Sequence, residues 1–321
     1  NFIKKLKGKV IVITGGSGYI GSRLVEILIK YDCRIIIVTR KKKYNNAKKI
    51  KYWKLNLEKI TSWKKIIKST DVVIHLFWNN SIAYAENNPK KSLFFSSIPI
   101  TQMIRASDEL SKKIRFIFTS TVTLYGLTSK NTIDENYIPS PTTYYDLNKL
   151  YVEKQLELAS FNNIISSVSL RLANVYGPSP SKSTIKDRGL MNKAVENAIN
   201  IKKLDLYGGG KYLRDFVYID DVVNAIIHSI FIKYSQPSTY NIGSGISYSI
   251  KKFFELIALE LKKQTKYKIV ISKVNWPNNS KPIDKRNFKC SIDLFKHKSN
   301  WKPHIKLKKG IRNLVINYLK N

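Results

Sequence analysis

Short apolar runs alternate along this chain with longer amphipathic stretches. Val10 to Thr14 is such a run, Gly15 to Gly18 breaks it, and Ile20, Leu24, Ile27 and Leu28 then recur at helical spacing, so a helix is expected over Tyr19 to Ile29. Arg34 to Val38, Val72 to Leu76, Ile114 to Thr119 and Ile164 to Leu172 are further runs of strand length, and the later ones are separated by segments long enough for helices. Strands apolar on both faces belong in a parallel sheet, because crossover helices cover both of its sides. The expected fold is α/β: a doubly wound parallel sheet with a smaller α/β unit towards the C-terminus. From Asn174 the texture changes, through Pro178, Pro180 and a Ser/Lys stretch to Asp187, before a helix-like run from Leu190. We therefore expect a first unit over 1–173, with a return segment at about 214–245, and a second built from 174–213 and 246–321. No internal repeat or low-complexity linker interrupts the pattern.

The chain has 321 residues, 43% of them hydrophobic, which is more than the ~100–200 residues of one ordinary domain and ample for a core. Two cysteines, Cys33 and Cys290, and four histidines make neither a disulfide framework nor a metal cluster, so no metal is expected. The apolar run before Gly15 is too short for a signal-peptide core, and no run approaches the ~18 apolar residues of a membrane span. A cytoplasmic protein without membrane contact is the expectation. The formal charge of +35 raises the question of nucleic acid. Lys, however, supplies 47 of the 57 basic residues and Arg only 10, and the lysines are scattered rather than gathered into a stripe. Nucleic acid is thus not the expected partner, although the charge would attract anionic substrates.

The first run opens directly into Gly16-Ser17-Gly18-Tyr19-Ile20-Gly21, a G-x-G-x-x-G that follows a strand and begins a helix. Glycines there permit a tight turn and close approach of backbone to a pyrophosphate, and the helix start presents free N–H groups to the anion. Gly15, Gly18, Tyr19, Ile20 and Gly21 are the candidate dinucleotide contacts. An acidic residue about 20 positions on would hold the ribose 2′-hydroxyl of NAD, yet the chain reads Val38-Thr39-Arg40-Lys41-Lys42-Lys43. With no carboxylate and Arg40 available for a 2′-phosphate, NADP is favoured over NAD.

A second constellation is Tyr145-Asp146-Leu147-Asn148-Lys149. Tyr and Lys four apart share one helix face, so the ammonium can favour the ionised phenol, which suits proton transfer at an alcohol that is losing hydride. Just past the run Ile114 to Thr119 stands Ser120-Thr121-Val122-Thr123-Leu124-Tyr125-Gly126, which supplies hydroxyls at the edge where doubly wound sheets build their sites.

With these motifs the chain resembles the extended short-chain dehydrogenases/reductases, the NAD-dependent epimerase/dehydratase family. The resemblance is carried by ITGGSGYIG (Ile13 to Gly21), DVVIHL (Asp71 to Leu76), FIFTSTVTLYG (Phe116 to Gly126), Tyr145 to Lys149, LRLANVYGP (Leu170 to Pro178), LYGGGKYLRDFVYIDD (Leu206 to Asp221) and YNIGSG (Tyr240 to Gly245). It implies a Rossmann fold and a homodimer formed through a helix pair that includes the Tyr145 helix. Thr121 would hold the sugar oxygen, Tyr145 would be the acid/base, and Lys149 would bind the nicotinamide ribose while lowering the Tyr145 pKa. Asn56 and Leu57 would line the adenine, Thr123 and Asn174 would contact substrate, and Arg214 would meet the pyrophosphate of a nucleoside diphosphate sugar.

The chain departs from the family pattern at several places. Asn56 replaces an Asp, Phe77 and Trp78 replace small residues, Ser96 replaces an Asn, and Asn148 replaces a Ser. Lys281 stands where an Arg normally meets the diphosphate; it keeps the charge without the bidentate fork, which makes Arg286 a rival. Val122 and Thr123 after Thr121 lack the carboxyls that the family's dehydratases and decarboxylases place there. What remains is a nucleotide-sugar epimerase acting by hydride transfer at C4 of a nucleoside diphosphate hexose, with an NADPH-dependent 4-ketoreductase as the alternative. A reductase of non-sugar alcohols and an inactive RNA-binding relative are less favoured, the first by Arg214 and the second by the intact Thr121, Tyr145 and Lys149.

Overall fold

The computed structural model describes residues 5–39, 49–78, 81–128, 132–178, 180, 189–233, 238–278 and 280–320. In chain order the strands are β1 (Val10–Thr14), β2 (Arg34–Thr39), β3 (Ile50–Lys54), β4 (Val72–His75), β5 (Arg115–Thr121), β6 (Ser166–Leu172), β7 (Asn174–Tyr176), β8 (Lys203–Tyr207), β9 (Leu213–Tyr218), β10 (Thr239–Ile242), β11 (Ser247–Ser249) and β12 (Val270–Val274). Seven of them form the central sheet in the order β10-β6-β5-β4-β1-β2-β3, with every pairing parallel.

The uninterrupted apolar runs explain this sheet. Successive side chains leave opposite faces of a strand, so Ile11 and Ile13 enter one core with Leu24, Leu28 and Ile226, while Val12 enters the other with Trp63, Ile66 and Met103. Ile35 and Ile37 likewise oppose Ile36 and Val38, and Ile117 opposes Phe116 and Phe118. Helices α1 (Tyr19–Leu28), α2 (Ile60–Ser69), α3 (Ile82–Asn87), α4 (Pro89–Glu109) and α5 (Tyr144–Phe161) are the connections within the first half of the chain. Strand order reverses between β1 and β4, which opens a crevice at their C-terminal ends.

Strand β3 carries no comparable apolar run. It is an edge strand whose Ile50 is buried but whose Lys51 and Lys54 are exposed, and exposed lysine is how edge strands avoid further pairing. The smaller assembly consists of the sheet β11-β9-β7, the parallel pair β12-β8 and a core of Met191, Val195, Leu206, Phe216, Phe253 and Leu314. The chain crosses between the two cores more often than one division suggests. Phe288, Cys290, Phe295 and Trp301 lie within 246–321 yet pack in the first core, with Phe295 edge-on to Tyr240 of β10.

Candidate active site

Glycine geometry builds the turn after β1. Gly15 has φ +74, and a Cβ there would lie 2.8 Å from the Phe77 backbone nitrogen; at Gly21 a Cβ would lie 2.2 Å from the Gly15 carbonyl oxygen. Only glycine lets α1 start so close beneath the turn. Gly18 caps α1 without any side-chain hydrogen bond, which leaves the helix start to an incoming anion. Ile20 packs into the first core, while the Tyr19 hydroxyl donates to the Gly177 carbonyl at 2.8 Å and so ties α1 to the loop after β7. A cavity of about 200 Å³ continues from this turn, lined by Gly15, Ser17, Val38, Thr39, Asn56 and Leu57 among others. The Asn56 side chain accepts from the Glu58 N–H at 3.0 Å, and the Leu57 carbonyl accepts from the Trp63 indole at 2.8 Å, which fixes this wall. A dinucleotide fits the combination of a backbone cradle closed to side chains and an apolar slot beside it. Arg40 lies outside the described residues.

The chemistry-bearing corner lies at the ends of β5 and β4 and the first turn of α5. Thr121 Oγ1 is 2.8 Å from Thr123 Oγ1 and accepts from the Thr123 N–H at 3.1 Å. Thr123 donates in turn to Oδ1 of the fully buried Asp146, whose Oδ2 accepts from Thr143 at 2.7 Å. Strand end and helix start are thus tied together next to Tyr145. Lys149 donates to the Thr119 carbonyl at 2.7 Å and lies 3.7 Å from the centroid of the Trp78 ring. Trp78 also stands edge-on to Tyr145, with centroids 6.0 Å apart, so this departure from the small family residues forms a wall of the site. Burial lowers Lys149 to about 7. The four-residue spacing predicts that Lys149 lowers the Tyr145 pKa, and here that effect is absent. Burial pushes the Tyr145 phenol well above its usual value and Asp146 adds to the rise, while Lys149 reaches only within 5.9 Å of the ring centroid. His75, held by Thr14 at 2.9 Å, is kept neutral by burial and by Lys149, with its pKa down to about 3.

The three candidate diphosphate cations are placed very differently. Lys281 pairs with Glu86 at 2.6 Å. Arg214 is turned to main-chain carbonyls, those of Asp284 at 2.7 Å, Leu213 at 3.0 Å and Arg286. Arg286 is 7% exposed, and its Nε and Nη1 have no hydrogen-bond partner among the described residues. Burial and the nearby Arg214 lower it to about 10, while Asp146 opposes that shift. An unpartnered buried guanidinium is costly unless an anion completes it. Asn174 donates to the Asp215 carbonyl at 3.0 Å, on the β7–β9 side of the same region.

The departures at Ser96 and Asn148 converge. Asn148 donates to Ser92 Oγ at 2.9 Å, and Ser96 donates to the Ser92 carbonyl at 2.7 Å, so α4 and α5 are joined through Ser92. Neither Asp146 nor His75 stands out in the sequence as a site residue. The adjacency of Asp146 to Tyr145 is visible there, but its link to Thr123 depends on how the loop after β5 folds back onto α5.

The family model described as the NAD dependent epimerase/dehydratase family matches residues 11–243, and the chain belongs to that family. Among curated relatives, a putative UDP-glucose 4-epimerase of Methanocaldococcus jannaschii is 28% identical over 97% of this chain and 99% of its own length. Among solved structures, the UDP-glucose 4-epimerase of Thermotoga maritima with UDP-glucose superposes with TM-score 0.83 at 26% identity, covering 97% of this chain and 99% of that one. The UDP-N-acetylglucosamine 4-epimerase of Methanobrevibacter ruminantium shares the fold with TM-score 0.85 at 24% identity, covering 98% of this chain and 99% of its own.

Proposed function

We propose that this protein is an NAD(P)-dependent nucleotide-sugar epimerase that inverts C4 of a nucleoside diphosphate hexose. The observation that carries the reading is Arg286, a buried guanidinium with two nitrogens unpartnered among the described residues and close enough to Asp146 for each to shift the other's pKa. A diphosphate gripped there would leave its sugar beside Tyr145 and Thr121. A nicotinamide dinucleotide in the glycine-lined cleft supplies the hydride acceptor and donor. Tyr145 holds and returns the proton of the C4 oxygen, Thr121 holds that oxygen in place, and Lys149 binds the nicotinamide ribose. Trp78, edge-on to Tyr145 and over the Lys149 ammonium, forms one wall of the corner.

A homodimer through α4 and α5 is part of the proposal: Leu93, Phe94, Leu147, Leu158 and Phe161 are all exposed on these two helices. The two buried free cysteines fit the reducing conditions of a cytoplasm, and among the described residues no helix is long and apolar enough to cross a membrane.

The alternative, a 4-ketoreductase, is favoured by Arg40 alone, through its suitability for NADP. Incubation of the purified protein with UDP-glucose or UDP-N-acetylglucosamine, with and without added NADPH, separates the two. The epimerase reading expects the C4 epimer to form without net consumption of reductant. A reaction that proceeds only on a 4-keto sugar, with stoichiometric loss of NADPH, would overturn it.

A further inference from the structure

The carboxyl of Asp146 stands at one end of a string of hydroxyls that finishes at Thr121. Its Oδ2 accepts from Thr143, whose Oγ1 in turn receives the Asp146 N–H at 3.2 Å as the cap of α5. Its Oδ1 meets Thr123 Oγ1, and Thr123 Oγ1 meets Thr121 Oγ1. A hydroxyl has one proton to give, and an ionised carboxylate has none. While Asp146 is ionised, Thr123 must donate to it and can only accept from Thr121. Thr121 then spends its proton inward and offers a lone pair outward. With Asp146 neutral, the acid donates to Thr123, Thr123 donates to Thr121, and the Thr121 proton is free to point outward. The two arrangements use the same heavy-atom positions.

We propose that Asp146 is a positioning residue that, through Thr123, sets the direction of the Thr121 hydroxyl and so decides whether Thr121 gives a hydrogen bond to the sugar oxygen or takes one from it. The functional half of this inference rests on the nucleotide-sugar reading; the direction of the string does not. An ionised Asp146 makes Thr121 an acceptor, which competes with Tyr145 for the single proton of the sugar hydroxyl. A neutral Asp146 makes Thr121 a donor to the sugar oxygen, which suits the ketone and leaves the proton of the hydroxyl to Tyr145.

The charge state is open to adjustment because burial raises the Asp146 pKa, while the hydrogen bonds from Thr123 and Thr143 and the nearby Arg286 lower it. Glu86 of α3 raises it further. On its own helix, Asp146 faces Tyr145 and Lys149, whose pKa values it raises in turn.

Two measurements on the full-length protein test this. The first is a ¹³C carboxyl titration, with the Asp146 signal assigned from Asp146→Asn and, should that variant not fold, from Asp146→Glu. The expected midpoint lies above the usual aspartate value of about 4. Thr123→Val should move it higher still, because one donor to the ion is lost, and Thr123→Ser should restore it. An unmoved midpoint in Thr123→Val would overturn the string. The second is the pH dependence of turnover with UDP-glucose. Wild type should lose kcat/KM as pH rises through the Asp146 midpoint. Thr123→Val should lose that pH dependence along with about tenfold in kcat, roughly the worth of one hydrogen bond, with Thr123→Ser close to wild type. A wild-type profile in Thr123→Val overturns the proposal. If wild type turns over no nucleotide sugar, the functional reading fails, and the titration alone then decides the direction of the string.

Discussion

The glycine turn after β1 and the cation-bearing rim around Arg286 both prepare the protein for phosphate, and they do so by opposite means. The turn uses backbone: glycines that leave no room for a Cβ, with helix N–H groups left open at Gly18. The rim uses side-chain charge, and most of that charge is already committed, Lys281 to Glu86 and Arg214 to main-chain carbonyls. Of these three cations, Arg286 is the one whose buried nitrogens lack partners among the described residues. A backbone cradle fails through steric intrusion, whereas a side-chain site fails through loss of one charge. Between them stands the Thr121–Tyr145–Lys149 corner, where the chemistry should be lost without either phosphate site being damaged.

The largest effect should come from that corner. Tyr145→Phe is expected to lower turnover by roughly 10²–10⁴-fold, the usual size of an acid/base contribution, while dinucleotide affinity stays within a factor of a few. Survival of turnover would remove Tyr145 from its role. Gly21→Ala should instead strike the cradle. Its Cβ would meet the Gly15 carbonyl, so calorimetry should show dinucleotide binding weakened by at least tenfold and stability lower by roughly 1–3 kcal/mol, the cost of overpacking. Unchanged binding would mean that the turn relaxes and is not the cradle.

Arg286→Met should raise KM for the nucleotide sugar about tenfold to a hundredfold, as expected for a charge-assisted contact of about 1.5–3 kcal/mol, and leave dinucleotide affinity alone. Lys281→Met, which loses an ion pair that is partly exposed on both sides, should change KM by no more than a few-fold. A reversed ranking would transfer the diphosphate to Lys281.

A further effect is on stability. Lys149 is lowered to about 7, whereas a lysine in the unfolded chain titrates near ~10.4. Between these values the unfolded state binds more protons, so the Lys149 contribution to stability rises with pH from about 7 to about 10, by at most about 1.4 kcal/mol per pH unit. Lys149→Met should lack this slope, and denaturant titrations of the two proteins across that window would show their difference shrinking as pH rises. Parallel curves would mean that Lys149 keeps its charge when buried.

Where the amino-acid pattern reveals the fold, the reason is steric or solvational. The runs at Val10, Arg34 and Val72 are apolar on both faces because the sheet is covered on both faces, and Gly15 to Gly21 leave a pattern because only glycine fits. The edge strand Ile50–Lys54 is not legible, because an edge needs only one buried side chain and its lysines read as solvated loop. Nor is the commitment of Arg214: a cation is visible in the sequence, but its partners come from the Asp284–Arg286 segment about seventy residues further on. The Asp146 string is hidden for a related reason, since its direction depends on which hydroxyls meet across the gap between β5 and α5.

The most direct test of the central claim follows the C4 hydrogen itself. UDP-glucose carrying deuterium at C4 is incubated in ordinary water with the protein and its dinucleotide, and the C4 epimer is examined by NMR. Removal and return of that hydrogen as hydride, on opposite faces of the sugar, predicts an epimer that keeps its deuterium at C4 with no net change in reduced nicotinamide. An epimer carrying hydrogen from water at C4, or no epimer from either UDP-glucose or UDP-N-acetylglucosamine, would contradict it.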